Sequence, residues 1–361
     1  MSINYVSIDA GNGFTNAATL KGKSVKTVGF PSIRAMSRAD DFDIEGFGSV
    51  NYPIYNWQGL RYVVGDDASL ISLDSVESHR GYNRYGNEMQ RFFMAVAMYQ
   101  LGLKSSDIDL TMFVPPSLLI EQKDTILSRF EDVNNQLAIL PEGERKPIIY
   151  NLVNINIVPE GIGAATCFML DKRGKPSQSA SELSGNVLFV DIGMYTTDVV
   201  LLQNGAFNRE SLSTATSEGF GIADRILSPL AEEVRKKAAD FSAINLYDID
   251  RALRNGLKTG EFTVSSGLSN IDIEERFNAY KGAFSNAVAD LLDSQYSSLR
   301  NVQKVVLVGG GATFINDLLA ETYPNRTATL ENYSSMKDVS PLEANVIGGL
   351  RLSLMKQLQT E

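Results

Sequence analysis

One pattern occurs twice in this chain and limits its possible folds more than any other feature. Residues 187–200 read VLFVDIGMYTTDVV. An apolar run enters Asp191, Gly193 follows, Thr196 and Thr197 come next, and Asp198 leads back into an apolar run. That order describes a buried strand, a tight turn and a second strand returning beside the first. Near the start, residues 5–8, apolar apart from Ser7, run into Asp9, Ala10, Gly11, Asn12, Gly13, Phe14, Thr15 and Asn16. Such a turn can offer backbone N–H groups and hydroxyls to a phosphate while its carboxylate faces a metal ion. Either turn alone is equally an ordinary β-hairpin. Their agreement points to two related lobes closing on one nucleotide.

The 361 residues leave room for about two or three domains, each with its own core. Hydrophobic residues make up 43% and charged residues 21%, the balance of a soluble globular chain. No apolar run approaches the roughly 20 residues that cross a bilayer, and no basic flank precedes an apolar core at the N-terminus. A cytoplasmic protein with no membrane partner is expected. A net charge of −10 opposes direct, non-specific contact with nucleic acid, so any link to DNA is expected to run through an adaptor. One cysteine, Cys167, excludes an internal disulfide, and with one histidine, His79, it cannot form a His/Cys metal cage. Cys167, among Ala164, Ala165, Phe168 and Met169, reads as a small core residue. His79 reads as a loop residue without chemistry.

The intervening stretches suggest lobes at residues 1–175 and 176–361. In the first, residues 1–30 and 87–175 form the expected core. Residues 31–86, rich in Gly, Asp, Asn and Tyr with a strand at 60–64, read as a small β-rich insertion rather than a continuation of the core sheet. Met89, Phe92, Phe93, Val96 and Ala97 form a helical stripe that Gly102 stops. Residues 110–114 are a buried strand, and polar residues 136–146 suit an exposed connection. Val153, Ile155 and Ile157 alternate with asparagines up to Pro159, and Glu160 follows, backed by Gly161, Gly163, Ala164 and Ala165. A carboxylate there is well placed to face a cleft; a plain partner for a helix dipole is the alternative.

The second lobe's core is expected at 176–229 and 301–340, around a helical insertion at about 230–300 that breaks at Asn255–Gly256 and over 260–270. In SEGFGIADRIL, Glu218 is either a ribose contact or a solvated first-turn acid. A strand at 305–308 runs into Gly309, Gly310 and Gly311, which permit a backbone to approach a flat ligand such as adenine, or simply a tight turn. A last helix, about 341–358, is expected to pack back toward the first lobe.

With these stations in order, the chain resembles the actin, Hsp70 and sugar-kinase superfamily over nearly its whole length. DAGNGFTN resembles the first phosphate motif, FVPPS the first connecting segment and PEGIGAA the segment with the hydrolytic carboxylate. DIGMYTTD is similar to the second phosphate motif, LVGGGATFI to the adenosine motif and LEANVIGGL to the second connecting helix. The compact length and the PEGIGAA form are most like prokaryotic actins of the plasmid-segregation ParM and archaeal actin-like type. The resemblance implies an α/β, two-lobed actin-like ATPase fold, with duplicated ribonuclease-H-like domains and a nucleotide cleft between them.

It further implies ATP or ADP bound with Mg²⁺, and homopolymeric filaments whose turnover hydrolysis controls, serving DNA (plasmid) segregation or another cytoskeletal task. Carried over by position, Asp9 and Asp191 would hold the Mg²⁺ through water, and Asp191 would also help organise the attacking water. Glu160 would orient or polarise that water. Gly11, Asn12, Gly13, Thr15, Asn16, Gly193, Thr196 and Thr197 would cradle phosphates, and Gly309, Gly310 and Gly311 would line the adenine and ribose pocket. Asn16 stands where many relatives carry Lys or Gln, so a direct cationic contact to the β-phosphate is not expected from that position. A small-metabolite kinase of the same superfamily and a non-polymerising, nucleotide-switched scaffold are the competing readings.

Overall fold

The computed structural model describes residues 3–37, 52–71, 76–79, 83–177, 184–207, 220–237, 239–296, 299–333, 336 and 339–360. The chain divides into two compact units: Met1–Ala180 with Leu342–Glu361, and Ser181–Pro341.

The first unit contains strands β1 (Asn4–Ala10), β2 (Phe14–Lys21), β3 (Ser24–Pro31), β4 (Ile33–Met36), β5 (Tyr55–Trp57), β6 (Leu60–Val64), β7 (Val76–Ser78), β8 (Ser106–Val114), β9 (Gln136–Pro141) and β10 (Ile148–Pro159). Its first four helices are α1 (Asp66–Ile71), α2 (Glu88–Gln100), α3 (Pro116–Glu131) and α4 (Ile162–Met169). The second unit has β11 (Asn186–Ile192), β12 (Thr197–Gln203), β13 (Ala206–Phe207), β14 (Thr263–Ser266), β15 (Ser269–Asp272), β16 (Lys304–Val308) and β17 (Thr327–Ala328). Its helices are α5 (Ser228–Lys237), α6 (Leu246–Thr259), α7 (Glu274–Gln295) and α8 (Ala312–Thr322). The final helix α9 (Ala344–Thr360) belongs to the first unit.

The duplication is visible in the topology. The first unit's sheet begins β3-β2-β1-β8-β10, and the second unit's sheet runs β13-β12-β11-β16-β17. In each, the strand bearing the first Asp of the repeated motif pairs antiparallel with its successor and parallel with a strand returning from a crossover. Parallel strands are buried on both faces, which explains why Val187, Leu188, Phe189 and Val190 are all fully buried.

Period-2 alternation on β8 sorts the first unit's core into two layers. Ile108, Leu110, Met112 and Val114 pack with Phe92, Phe93 and Val96 of α2 and with Ile126 and Phe130 of α3. Phe113, on the other face, packs with Val346, Leu350 and Leu354 of α9. Thr111 Oγ1 meets Ser353 Oγ on that same side at 2.7 Å.

Three expectations are corrected. Residues 136–141 form β9 rather than an exposed connection: their side chains alternate, with Leu137, Ile139 and Pro141 buried. Because β9 pairs with β10 on one edge and with β5 on the other, the β-rich segment after residue 31 continues the core sheet through a hydrogen-bonded ladder of ten strands. Helix α6 runs straight through Asn255 and Gly256. Gly256 is there for packing, since a Cβ would collide with the Phe262 ring; the helix ends at Gly260, in the left-handed region at φ 82°.

Candidate functional site

Both repeated turns have one geometry. In the first unit Asp9 sits opposite Asn16, and Gly11 N–H donates to the Phe14 carbonyl at 3.0 Å. In the second, Asp191 sits opposite Asp198, and Gly193 N–H donates to the Thr196 carbonyl at 2.8 Å. Each thus puts a carboxylate at the mouth of a glycine-bearing turn, the arrangement that favours an anion beside a cation.

Within the first unit the structure links Asp9 to the start of α4, the segment that follows Glu160, through a residue that motif reading gave no side-chain role, Asn345 at the start of α9. Its Oδ1 accepts from the N–H groups of Gly161 (3.2 Å) and Ala164 (3.1 Å), capping α4, and its Nδ2 reaches Asp9 Oδ2 at 3.5 Å. A lone polar residue among small and apolar ones in ANVIGG was the signal. Glu160 is half-buried at the end of β10, where its N–H donates to the Val114 carbonyl at 2.8 Å. Gly161 follows at φ 80°, in the left-handed region that glycine tolerates, and turns the chain into α4.

Asn12 lies half-buried in the first turn. With its amide oxygen toward Arg84, the orientation that satisfies both ends of the amide, it accepts from Arg84 Nη1 (3.2 Å) and Nη2 (3.1 Å) and donates to the His79 carbonyl at 3.1 Å. Gly13 offers its carbonyl to Ser32 N–H at 2.9 Å. Thr15 is buried and its hydroxyl is paired with Ser32 Oγ at 2.9 Å, which withdraws it from the phosphate-facing set read from the sequence. Asn16 is buried over Gly29, where a Cβ would come within 2.5 Å of its Oδ1.

His79 lies in a loop, as read, and is buried there. It is only 1% exposed, edge-on to Phe93, and among the described residues neither ring nitrogen has a hydrogen-bond partner. Burial, reinforced by the charges of Arg84 and Arg34, pushes its pKa down to about 3. The unfolded chain therefore takes up a proton below the ordinary value of 6.5 that the folded chain refuses, and stability is lost as pH falls. Between pH 7 and 5 this costs about 2 kcal/mol. Urea unfolding at both pH values should show that loss shrinking by about the same amount in His79→Phe; an identical pH slope in the two proteins contradicts it. Cys167 is buried, which pushes its thiol up to about 11, against the smaller opposing effect of Arg351, and makes it inert core.

In the second unit the pairing of β11 with β16 brings the three glycines to Asp191, whose partner across the ladder is Val308. Gly309, at φ 82°, fits so closely that a Cβ would collide with Asp191 Oδ1 and lie 2.6 Å from the Ile192 carbonyl. Gly311 N–H donates to that same carbonyl at 2.8 Å. The Gly310 carbonyl accepts from Thr313 Oγ1 at 3.0 Å and from Arg254 Nη1 of α6 at 3.3 Å. Thr196 is buried in the turn. Thr197 is buried and its hydroxyl donates to the Phe220 carbonyl at 2.6 Å, so it too leaves the phosphate-facing set. Met194 and Tyr195 are met from behind by Gly221, where a Cβ would lie 2.5 Å from the Met194 carbonyl. Glu218 lies outside the described residues.

Among the described residues no group of three or more His, Cys, Asp or Glu side chains gathers as a metal cluster. Single carboxylates at glycine turns fit a hydrated Mg²⁺ that shares its ligands with a nucleotide's phosphates, an ion that keeps much of its water. Nor is any helix among the described residues long and apolar enough to cross a membrane.

Known proteins show the same organisation. Residues 7–163 match the family of actin-like proteins, N-terminal domain, and residues 189–321 match the archaeal actin homologue MreB-like family, C-terminal. No curated protein matches the sequence. Among solved structures, a 15-stranded ParM filament from Clostridium botulinum aligns at TM-score 0.76 and 20% identity, covering 99% of this chain and 100% of that one. The archaeal actin homologue Ta0583 aligns at TM-score 0.73 and 18% identity with the same coverage. Its complex with ADP aligns at TM-score 0.70 and 17% identity, again over 99% and 100% of the two chains. At these identities the likeness is one of fold. Two family models placed in sequence order, a whole-chain α/β likeness and a duplicated Asp-bearing turn make this chain an actin-like protein of the prokaryotic type.

Proposed function

We propose that this chain binds ATP with Mg²⁺, assembles into filaments of its own copies and hydrolyses the nucleotide to control their turnover. The observation that carries the reading is the repeated turn: Asp9 and Asp191, each beside an equivalent glycine N–H to carbonyl bond, with Gly309 giving up its side-chain space to Asp191. The filament of one structural neighbour and the ADP complex of another support it. Bound Mg²⁺ would neutralise phosphate charge. Asp9 and Asp191 would hold its water shell, and Gly11, Asn12, Gly13, Gly193 and Thr196 would position the phosphates. Gly309, Gly310 and Gly311 would lie against the base and ribose. Glu160 would orient the water that attacks the γ-phosphoryl group, a reaction that depends on positioning and charge neutralisation and needs no covalent intermediate.

The chain would act in the cytoplasm. Its charge of −10 leaves attachment to cargo, plasmid DNA included, to an adaptor. Light scattering and electron microscopy of the purified protein with ATP and Mg²⁺, with phosphate release followed in parallel, test the proposal. Filaments above a critical concentration, accompanied by phosphate release, are the expected result. Nucleotide binding without assembly would favour a switched scaffold. Transfer of the γ-phosphoryl group to a small hydroxyl compound would favour a kinase.

A further inference from the structure

A buried chain of donors runs toward Glu160 from a segment that the phosphate motifs do not include. Tyr85, in the stretch just before α2, is fully buried in the first unit's core, and its hydroxyl reaches Glu160 Oε1 at 3.4 Å. Arg84, itself buried, donates Nη2 to that hydroxyl and holds its guanidinium carbon 4.1 Å from the centre of the Tyr85 ring. A guanidinium has donors only, so the hydroxyl oxygen must accept from Arg84, which leaves the hydroxyl proton for the Glu160 carboxylate. A hydroxyl already accepting from a cation is a stronger donor in turn. The other side of Arg84 is anchored on Asn12, inside the first repeated turn.

We propose that Tyr85, with Arg84 behind it, is a positioning residue for Glu160. It fixes the orientation of the Glu160 carboxylate through Oε1. This inference rests on the reading of Glu160 as the water-orienting carboxylate. The Tyr85 ring is packing, but the direction of its hydroxyl proton is set by a cation that also grips the turn proposed to hold phosphate. Removing only the oxygen should therefore loosen the carboxylate while leaving the core filled.

The test is a double-mutant cycle on the full chain with Mg·ATP, comparing Tyr85→Phe, Glu160→Gln and the pair, with single-turnover phosphate release and nucleotide affinity as readouts. Tyr85→Phe is expected to slow release by about tenfold, with ATP affinity and unfolding midpoint near wild type. In the Glu160→Gln background it should add nothing further. Release at the wild-type rate in Tyr85→Phe, with Glu160→Gln slow, overturns the proposal and leaves the reading of Glu160 standing. Equal slowing in both backgrounds also overturns it, because the hydroxyl would then act independently of Glu160. A wild-type rate in Glu160→Gln removes the reading of Glu160 and the proposal with it.

Discussion

Gly348→Ala is expected to destabilise the first unit by about 3 kcal/mol or more, a large share of the 5–15 kcal/mol that holds an ordinary domain together. Helices α4 and α9 cross at Gly348, where an added Cβ would land on the Gly163 carbonyl oxygen and lie 2.6 Å from its carbon. The obstacle is backbone on a neighbouring helix and cannot rotate away. The reciprocal site is as tight: a Cβ on Gly163 would lie 2.6 Å from the Asn345 carbonyl oxygen and 2.7 Å from the Phe113 ring. The same chemical change should have the opposite sign at Gly282, inside α7, where a Cβ would meet nothing within 4 Å. There alanine should gain about 0.5–1 kcal/mol through helix propensity. Denaturant unfolding of both variants checks the pair, and a near-neutral Gly348→Ala contradicts the tight crossing. Since Asn345 caps α4 across this same crossing and reaches Asp9, a shifted helix would also displace the acidic turn.

Glu160→Gln is expected to slow phosphate release by about 10²-fold while nucleotide binding is retained, since a neutral amide orients and polarises the attacking water less than a carboxylate does. Filaments should then persist longer after ATP is added. The side chain sits on a well-fixed backbone, with its N–H on the β8 strand end through the Val114 carbonyl and the left-handed Gly161 behind it. A variant that still polymerises and hydrolyses ATP at the wild-type rate would count against Glu160.

What could be read from the sequence follows from the range over which each feature acts. The repeated turn was legible because strand, Asp, glycine and returning strand are adjacent in the chain, and a local pattern determines a local hydrogen bond such as Gly193 to Thr196. Glu160 was legible as a carboxylate closing a strand of alternating residues. The glycines of PEGIGAA and LEANVIGGL were visible as motif members, but their cause was not. It is a contact between Gly163 and Gly348, on helices far apart in sequence, and no periodicity reports such a pairing. Asn345 stood out as the lone polar residue of ANVIGG, but its bonds to α4 and Asp9 were hidden in the same way. Strand β9 was missed because its exposed positions, its closing Pro141 and the following Glu142 and Gly143 gave the composition of a loop, while the buried Leu137 and Ile139 carried the signal. The loop position of His79 was legible but its burial was not, because Phe93 and the charge of Arg84 meet it only in three dimensions. Thr15 and Thr197 were assigned to phosphate by position in the motif, and the structure commits both hydroxyls to neighbouring chain.

The central claim is that the two acidic turns serve a single Mg²⁺-bound nucleotide. Titration calorimetry with ATP, with and without Mg²⁺, on the wild-type chain, Asp9→Asn and Asp191→Asn tests it most directly. One nucleotide per chain, with the Mg²⁺-dependent part of the affinity lost in either variant alone, is the predicted result. Two nucleotides per chain, or a variant at either Asp9 or Asp191 that binds Mg·ATP as tightly as the wild type, would contradict it.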